Sequence, residues 1–331
     1  MDEMTYDLTP AKRAFSRIGF ALCVILVIAT VLSALWFGIP GALFAEDHWF
    51  NTSSDWMWLG MMVPMYLVAV PLGALTVRKL PAQKPQDQKL SLKSFLVFVP
   101  MCVCLMYGGN LIGTVLAQLL SGGTAENVVA DVAMDNSPLK VVAMVAFAPL
   151  AEEWFCRKLI IDRTRQYGEK IAVFLSAFVF GLLHQNLYQF FYAFGLGLIF
   201  AYIYIRTGRL RYSVLLHAFI NFMGSVVAPW LLSNVDLAAL ESIDPNVSPE
   251  VLTETLAPML PGYVLLTLYS TLLIGFSIWG LVLLILKGKR LIWKEAEAQL
   301  PKGTVFKTAY LNGGMVLYIL LCLAAIVLTL L

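Results

Sequence analysis

The sequence predicts an all-α fold, a polytopic transmembrane helical bundle, and three observations carry that expectation. Sixty per cent of the 331 residues are apolar and only 13% are charged, too few polar groups to cover a water-facing surface. Apolar runs of roughly 17–25 residues, the length of helix that crosses a bilayer, recur along the whole chain. The basic side chains gather on alternate connections, as membrane insertion favours. A net charge of +2 gives no sign of a nucleic-acid partner.

The runs fall near 18–39, 57–77, 94–120, 139–160, 171–186, 188–205, 213–230, 262–286 and 310–331, so about eight to nine membrane helices are expected. Lys12, Arg13 and Arg17 precede the first, which is too long for a signal peptide and lacks a small-residue cleavage site; it reads as an uncleaved anchor. Basic residues then follow the second, fourth, sixth and eighth runs. The segments at 40–56, 121–138, 187 and 231–261 hold no Lys or Arg, and Lys140 alone breaks the alternation. This places the N-terminus in the cytoplasm and the C-terminus outside. Trp36, Trp49, Trp56, Trp58 and Trp230 lie near run ends, as an interfacial belt would.

Residues 171–183 supply only 13 mostly apolar positions, about 20 Å of helix, before the polar stretch His184 to Gln189; a shallow hairpin inside the protein is expected there. The 231–261 segment is expected to form a surface helix or lid. Residues 287–307 resemble an amphipathic linker, with Trp293 and Leu300 available to lie on headgroups. Asn51-Thr-Ser53 and Asn246-Val-Ser248 match the glycosylation triplet, a pattern too short to decide anything. The five cysteines lack metal or redox spacing and read as buried thiols.

Chemistry concentrates where polar residues interrupt the middle runs. Glu152 and Glu153 are adjacent carboxylates in an apolar stretch, where an acid marks a functional site or pairs at the interface. Helical spacing lets Glu153 meet Arg157, while Glu152 points about 100° away and stays free. Pro149 frees an upstream carbonyl and can kink the helix. His184 at a helix end could simply cap a carbonyl. His217 and Asn221 share a helix face and need either a packing partner or a substrate.

Glu152-Glu153-x-x-x-Arg157, Phe180-x-x-x-His184 and His217-x-x-x-Asn221, in this order on successive helices, resemble the CPBP family of intramembrane proteases, which includes the type II CAAX prenyl endopeptidases and the Abi and bacteriocin-processing proteins. The resemblance covers about residues 139–230. It divides the chain into N-terminal transmembrane helices (1–138), a protease core (139–230) and an outer loop with C-terminal helices (231–331). It implies that Glu152 and His184 activate water, that His217 and Asn221 stabilise the oxyanion, and that Glu153 and Arg157 support the site as an ion pair. No cofactor is then required.

Zinc is the alternative, with Glu152, His184 and His217 as a two-histidine, one-carboxylate set. Two non-enzymatic readings also fit: a silent scaffold or bacteriocin-immunity protein binding a membrane protein partner, or a proton-coupled transporter, which lacks the expected paired halves. The implied substrate is a hydrophobic or membrane-associated peptide or protein reaching the site through the lipid bilayer. The expected location is a bacterial plasma membrane.

Overall fold

The computed structural model describes residues 6–236 and 256–331. Nine principal helices run through these residues: α1 (Thr9–Leu43), α2 (Ser54–Val77), α3 (Leu92–Ser121), α4 (138–164), α5 (Glu169–Leu183), α6 (Leu187–Thr207), α7 (Leu210–Leu232), α8 (Leu260–Gly288) and α9 (Gly313–Leu328). No strand occurs among the described residues. Each expected run therefore contains a helix, but only six, α1, α2, α3, α6, α7 and α8, are long and apolar enough to cross a bilayer. α4 carries charges at its middle, and α5 and α9 are shorter. The chain is an integral membrane protein.

α6 is the centre of the bundle, packed against α3, α5 and α7, while α3 also carries α8 on its outer side. α1 pairs with α9 and α2. The α1–α9 approach is so close that a Cβ on Gly19 would lie 2.2 Å from the Gly314 carbonyl carbon, and the Gly314 N–H donates to Ser16 Oγ at 3.1 Å. Small residues permit such contact where lipid offers no hydrophobic drive for association. Both helices start at the same end and run parallel.

That end gathers the basic connections. Gln83 N–H bonds Asp162 O, Gln88 N–H bonds Thr207 O, and Ala298 and Leu300 N–H bond Gln166 O and Tyr167 O. Arg209 clamps Asp87 there and holds its carboxyl below the ordinary carboxylate range. At the opposite end, Asp135 accepts from Ser54 and from Trp58 Nε1, and Ser137 donates to Asp55. The exceptional Lys140 is held at this acidic end because its ammonium donates to the Ala133 and Asp135 carbonyls.

Two expectations need correction. Trp58 is no interfacial anchor: it is 2% exposed, with its indole N–H spent on Asp135. Leu300 does not rest on headgroups either. The connection that carries it is stitched to residues 166 and 167, so Leu300 is buried, while the half-buried Trp293 packs on Tyr202. Asn246-Val-Ser248 and most of the expected 231–261 lid lie outside the described residues.

Four stretches widen to π-helix: Val63–Ala69, Val142–Phe147, Trp154–Ile161 and Met223–Val227. In three of them the closing bond spans five residues, Val70 to Met65, Ala148 to Ala143 and Ala228 to Met223, and the next residue is Pro71, Pro149 or Pro229. A proline ring clashes with the carbonyl four residues back, and widening the turn relieves that clash. Each widening also turns the following residues to a new face. Two of the four lie in α4, either side of Glu152 and Glu153.

Candidate active site

The two adjacent carboxylates have different surroundings. Glu153 is fully buried and receives two hydrogen bonds from Arg157, Nε to Oε2 at 3.0 Å and Nη2 to Oε1 at 3.1 Å. Arg157, also fully buried, donates to Ser176 Oγ at 3.0 Å, and that hydroxyl donates to Cys156 O at 2.7 Å. The guanidinium carbon lies 4.6 Å from the Phe180 ring centre and 5.7 Å from that of Phe200. A forked pair with its remaining donors satisfied is the form in which buried charge is tolerated. The sequence spacing anticipated this pair.

Glu152 faces elsewhere, into a cavity of about 130 Å³ lined by Met65, Tyr66, Val70, Ala151, Phe155, Leu183 and His184. Tyr66 of α2 donates its hydroxyl to Glu152 Oε1. No sequence signal singled out Tyr66, which lies 86 residues upstream of its partner.

His184 ends α5 with Nδ1 2.8 Å from the Phe180 carbonyl. A carbonyl only accepts, so Nδ1 carries the hydrogen and the other ring nitrogen of a neutral imidazole is an acceptor. The turn that follows is tight: Gln185 adopts φ 54°, and Asn186 caps α6 by accepting from Gln189 N–H at 2.9 Å. Tyr188, at the start of α6, is fastened to Ala125 O at 2.9 Å. This is the internal hairpin expected at 184–189.

His217 of α7 lies between the glutamates. Its Nδ1 is 3.2 Å from Glu153 Oε1, and its Nε2 is 3.7 Å from Glu152 Oε2, beyond hydrogen-bond length. Phe200 stacks on its ring with centroids 5.4 Å apart, and Phe180 contacts both His184 and His217 edge-on at 5.2 and 5.5 Å. Both histidines are thus brought to one aromatic ring.

Asn221 has a further partner. Its Nδ2 donates to Met144 O at 2.7 Å. Ala148 bonds Ala143 five residues back, so position 149 in the same register would serve Met144, and Pro149 has no N–H to give. Asn221 caps the carbonyl that Pro149 leaves open, and its second amide hydrogen remains.

Among the described residues, no three His, Cys, Asp or Glu side chains are close enough to hold a metal ion. Both nitrogens of His217 face the glutamates and Nδ1 of His184 is spent on its own helix.

No curated protein and no solved structure matches the chain. Residues 135–223 match the model of a family described as Rce1-like, type II CAAX prenyl endopeptidase. Glu152, Glu153, Arg157, His184, His217 and Asn221 all fall within those residues, whereas Tyr66 lies outside them. By that match and by these side chains, residues 135–223 of this membrane protein are similar to the Rce1-like type II CAAX prenyl endopeptidases.

Proposed function

We propose that the protein is an intramembrane endopeptidase that hydrolyses a peptide bond in a hydrophobic or membrane-associated substrate. The observation that carries this reading is the division of labour between the two carboxylates. Glu153 is locked by Arg157 and His217, while Glu152 shares a cavity with His184. The cavity has room for a few water molecules. A water there donates one proton to Glu152 and hydrogen-bonds to the acceptor nitrogen of His184, and its oxygen attacks the peptide carbonyl. His217 and the second amide hydrogen of Asn221 stabilise the developing oxyanion, and Glu152 returns the proton to the leaving amine.

The cluster sets two carboxylates against one guanidinium. We place the basic end in the cytoplasm of a bacterial plasma membrane; labelling of single cysteines at positions 85 and 126 from opposite sides is the expected result.

The test uses purified protein in nanodiscs with a prenylated, C-terminally tripeptide-extended reporter and a hydrophobic peptide lacking the prenyl group. Glu152→Gln keeps size and polarity but cannot take a proton, so cleavage should fall by roughly 100- to 10,000-fold with the fold intact. Wild-type activity should survive chelation. Loss of activity with a stoichiometric zinc, and its return with zinc, would move Glu152, His184 and His217 into a metal site. An unchanged function in Glu152→Gln cells would favour the scaffold or immunity reading.

A further inference from the structure

A larger cavity, sharing no lining residue with that site, lies at the basic end where α1 and α9 begin. It measures about 620 Å³ and is lined by Lys12, Arg13 and Lys307 together with Thr9, Ser16 and Thr308. Most arginines at this end have protein partners: Arg163 bonds Val77 O, Arg165 and Arg206 meet Glu169, and Arg209 holds Asp87. Among the described residues, Lys12, Arg13 and Lys307 have no ion pair and no side-chain hydrogen bond. Asp7 accepts from the Thr9 N–H at 2.9 Å, and that bond together with the nearby Arg13 charge holds its carboxyl below the ordinary range. Three cations, none in an ion pair among the described residues, converge on one concavity of the volume that small-molecule sites occupy.

Its depth identifies the ligand class. One turn beyond Ser16, α1 exposes Phe20, and α9 exposes Leu317 and Leu320 beside it, so an apolar, lipid-facing surface starts where the cavity ends. The parallel start of α1 and α9 puts both basic segments at headgroup level, with two helix flanks for acyl chains to follow. Basic recesses between membrane helices on the cytoplasmic side are suited to anionic headgroups. We propose that this cavity binds the phosphodiester headgroup of an anionic glycerophospholipid, with Lys12, Arg13 and Lys307 as its phosphate ligands. The site is separate from the proposed protease centre and does not depend on that activity.

The test places the full-length protein in phosphatidylcholine nanodiscs containing a small mole fraction of phosphatidylglycerol, so that the bilayer has little surface charge. Native mass spectrometry then counts retained lipid. Wild type should retain one phosphatidylglycerol saturably. At roughly fivefold per cation, Lys12→Gln/Arg13→Gln/Lys307→Gln should weaken retention by on the order of 100-fold, and Lys307→Gln alone by about fivefold. The control Lys84→Gln/Lys89→Gln/Lys93→Gln removes three cations from the same end, none of which lines the cavity, and should retain lipid within about twofold of wild type. Equal loss in the two triple variants would overturn the proposal in favour of diffuse attraction. Binding of inorganic phosphate that depends on the three cations, without lipid retention, would overturn the lipid assignment. If the triple variant does not fold, the single variant against wild type decides the same question.

Discussion

α4 and α8 make opposite use of the membrane. α8 is 29 residues of nearly unbroken apolar sequence, only 6% of its most apolar window is buried, and its flank faces lipid beside α3. α4 does not qualify as a span by apolarity and is broken twice into π-helix, yet it holds Glu152, Glu153 and Arg157. Apolarity therefore tells which segments lie in the membrane, while its interruption tells which of them the others are built around. A buried charge on α4 must be met by groups from α5, α6 and α7, and those meetings fix the bundle. α8 makes no such demand.

The sharpest way to break this contrast is to remove one side of the buried pair. Arg157→Met leaves Glu153 buried without its guanidinium partner, which costs about 3–5 kcal/mol. Chemical unfolding in detergent should show that loss, and the double variant Glu153→Gln/Arg157→Met should recover much of it. A single variant as stable as wild type would mean that α4 is not the anchor its contacts suggest.

Asn221 comes next in size because it caps the Met144 carbonyl and is proposed to serve the oxyanion as well. Asn221→Ala should lower turnover on the order of 100-fold if it serves the oxyanion, and should cost about 1–3 kcal/mol by leaving Met144 O unsatisfied. Adding Pro149→Ala restores an N–H in the register that reaches Met144. Stability should then return while turnover stays low. Recovery of both would show that the carboxamide acts on helix α4 alone.

The Glu153–Arg157 pair was legible because helical spacing alone brings i and i+4 together, and the short α5 because 13 residues cannot span a bilayer. The π-helical stretches were legible only in part: Pro149 announced a kink, but Pro71 and Pro229 carried the same signal unread. Tyr66, one of 13 tyrosines, has no spacing to any motif, since its contact with Glu152 exists only after α2 packs on α4. Trp58 misled because a tryptophan near a run end reads as a belt residue, and only tertiary contacts show that its ring turns inward.

Tyr66→Phe isolates that tertiary contribution. The ring still fills its place against Phe147, 5.9 Å away, and only the hydroxyl on Glu152 is lost. Turnover should drop about tenfold, the equivalent of about 1.4 kcal/mol in the barrier, with little change in unfolding. A purely structural Tyr66 would instead lower stability and leave turnover per folded molecule unchanged.

The smallest effect belongs to α8, and it tests the other half of the comparison. Thr271 is exposed and its hydroxyl only bonds back to Thr267 O at 2.7 Å within the same helix. Thr271→Val keeps the shape, releases a bond that no other helix uses, and places a methyl group toward lipid. The change should stay within about 0.5 kcal/mol, as surface substitutions do, with cleavage of the reporter unaltered. If the same substitution slows cleavage while unfolding is unchanged, α8 takes part in substrate passage. The division between a demanding α4 and an undemanding α8 would then hold for folding but not for function.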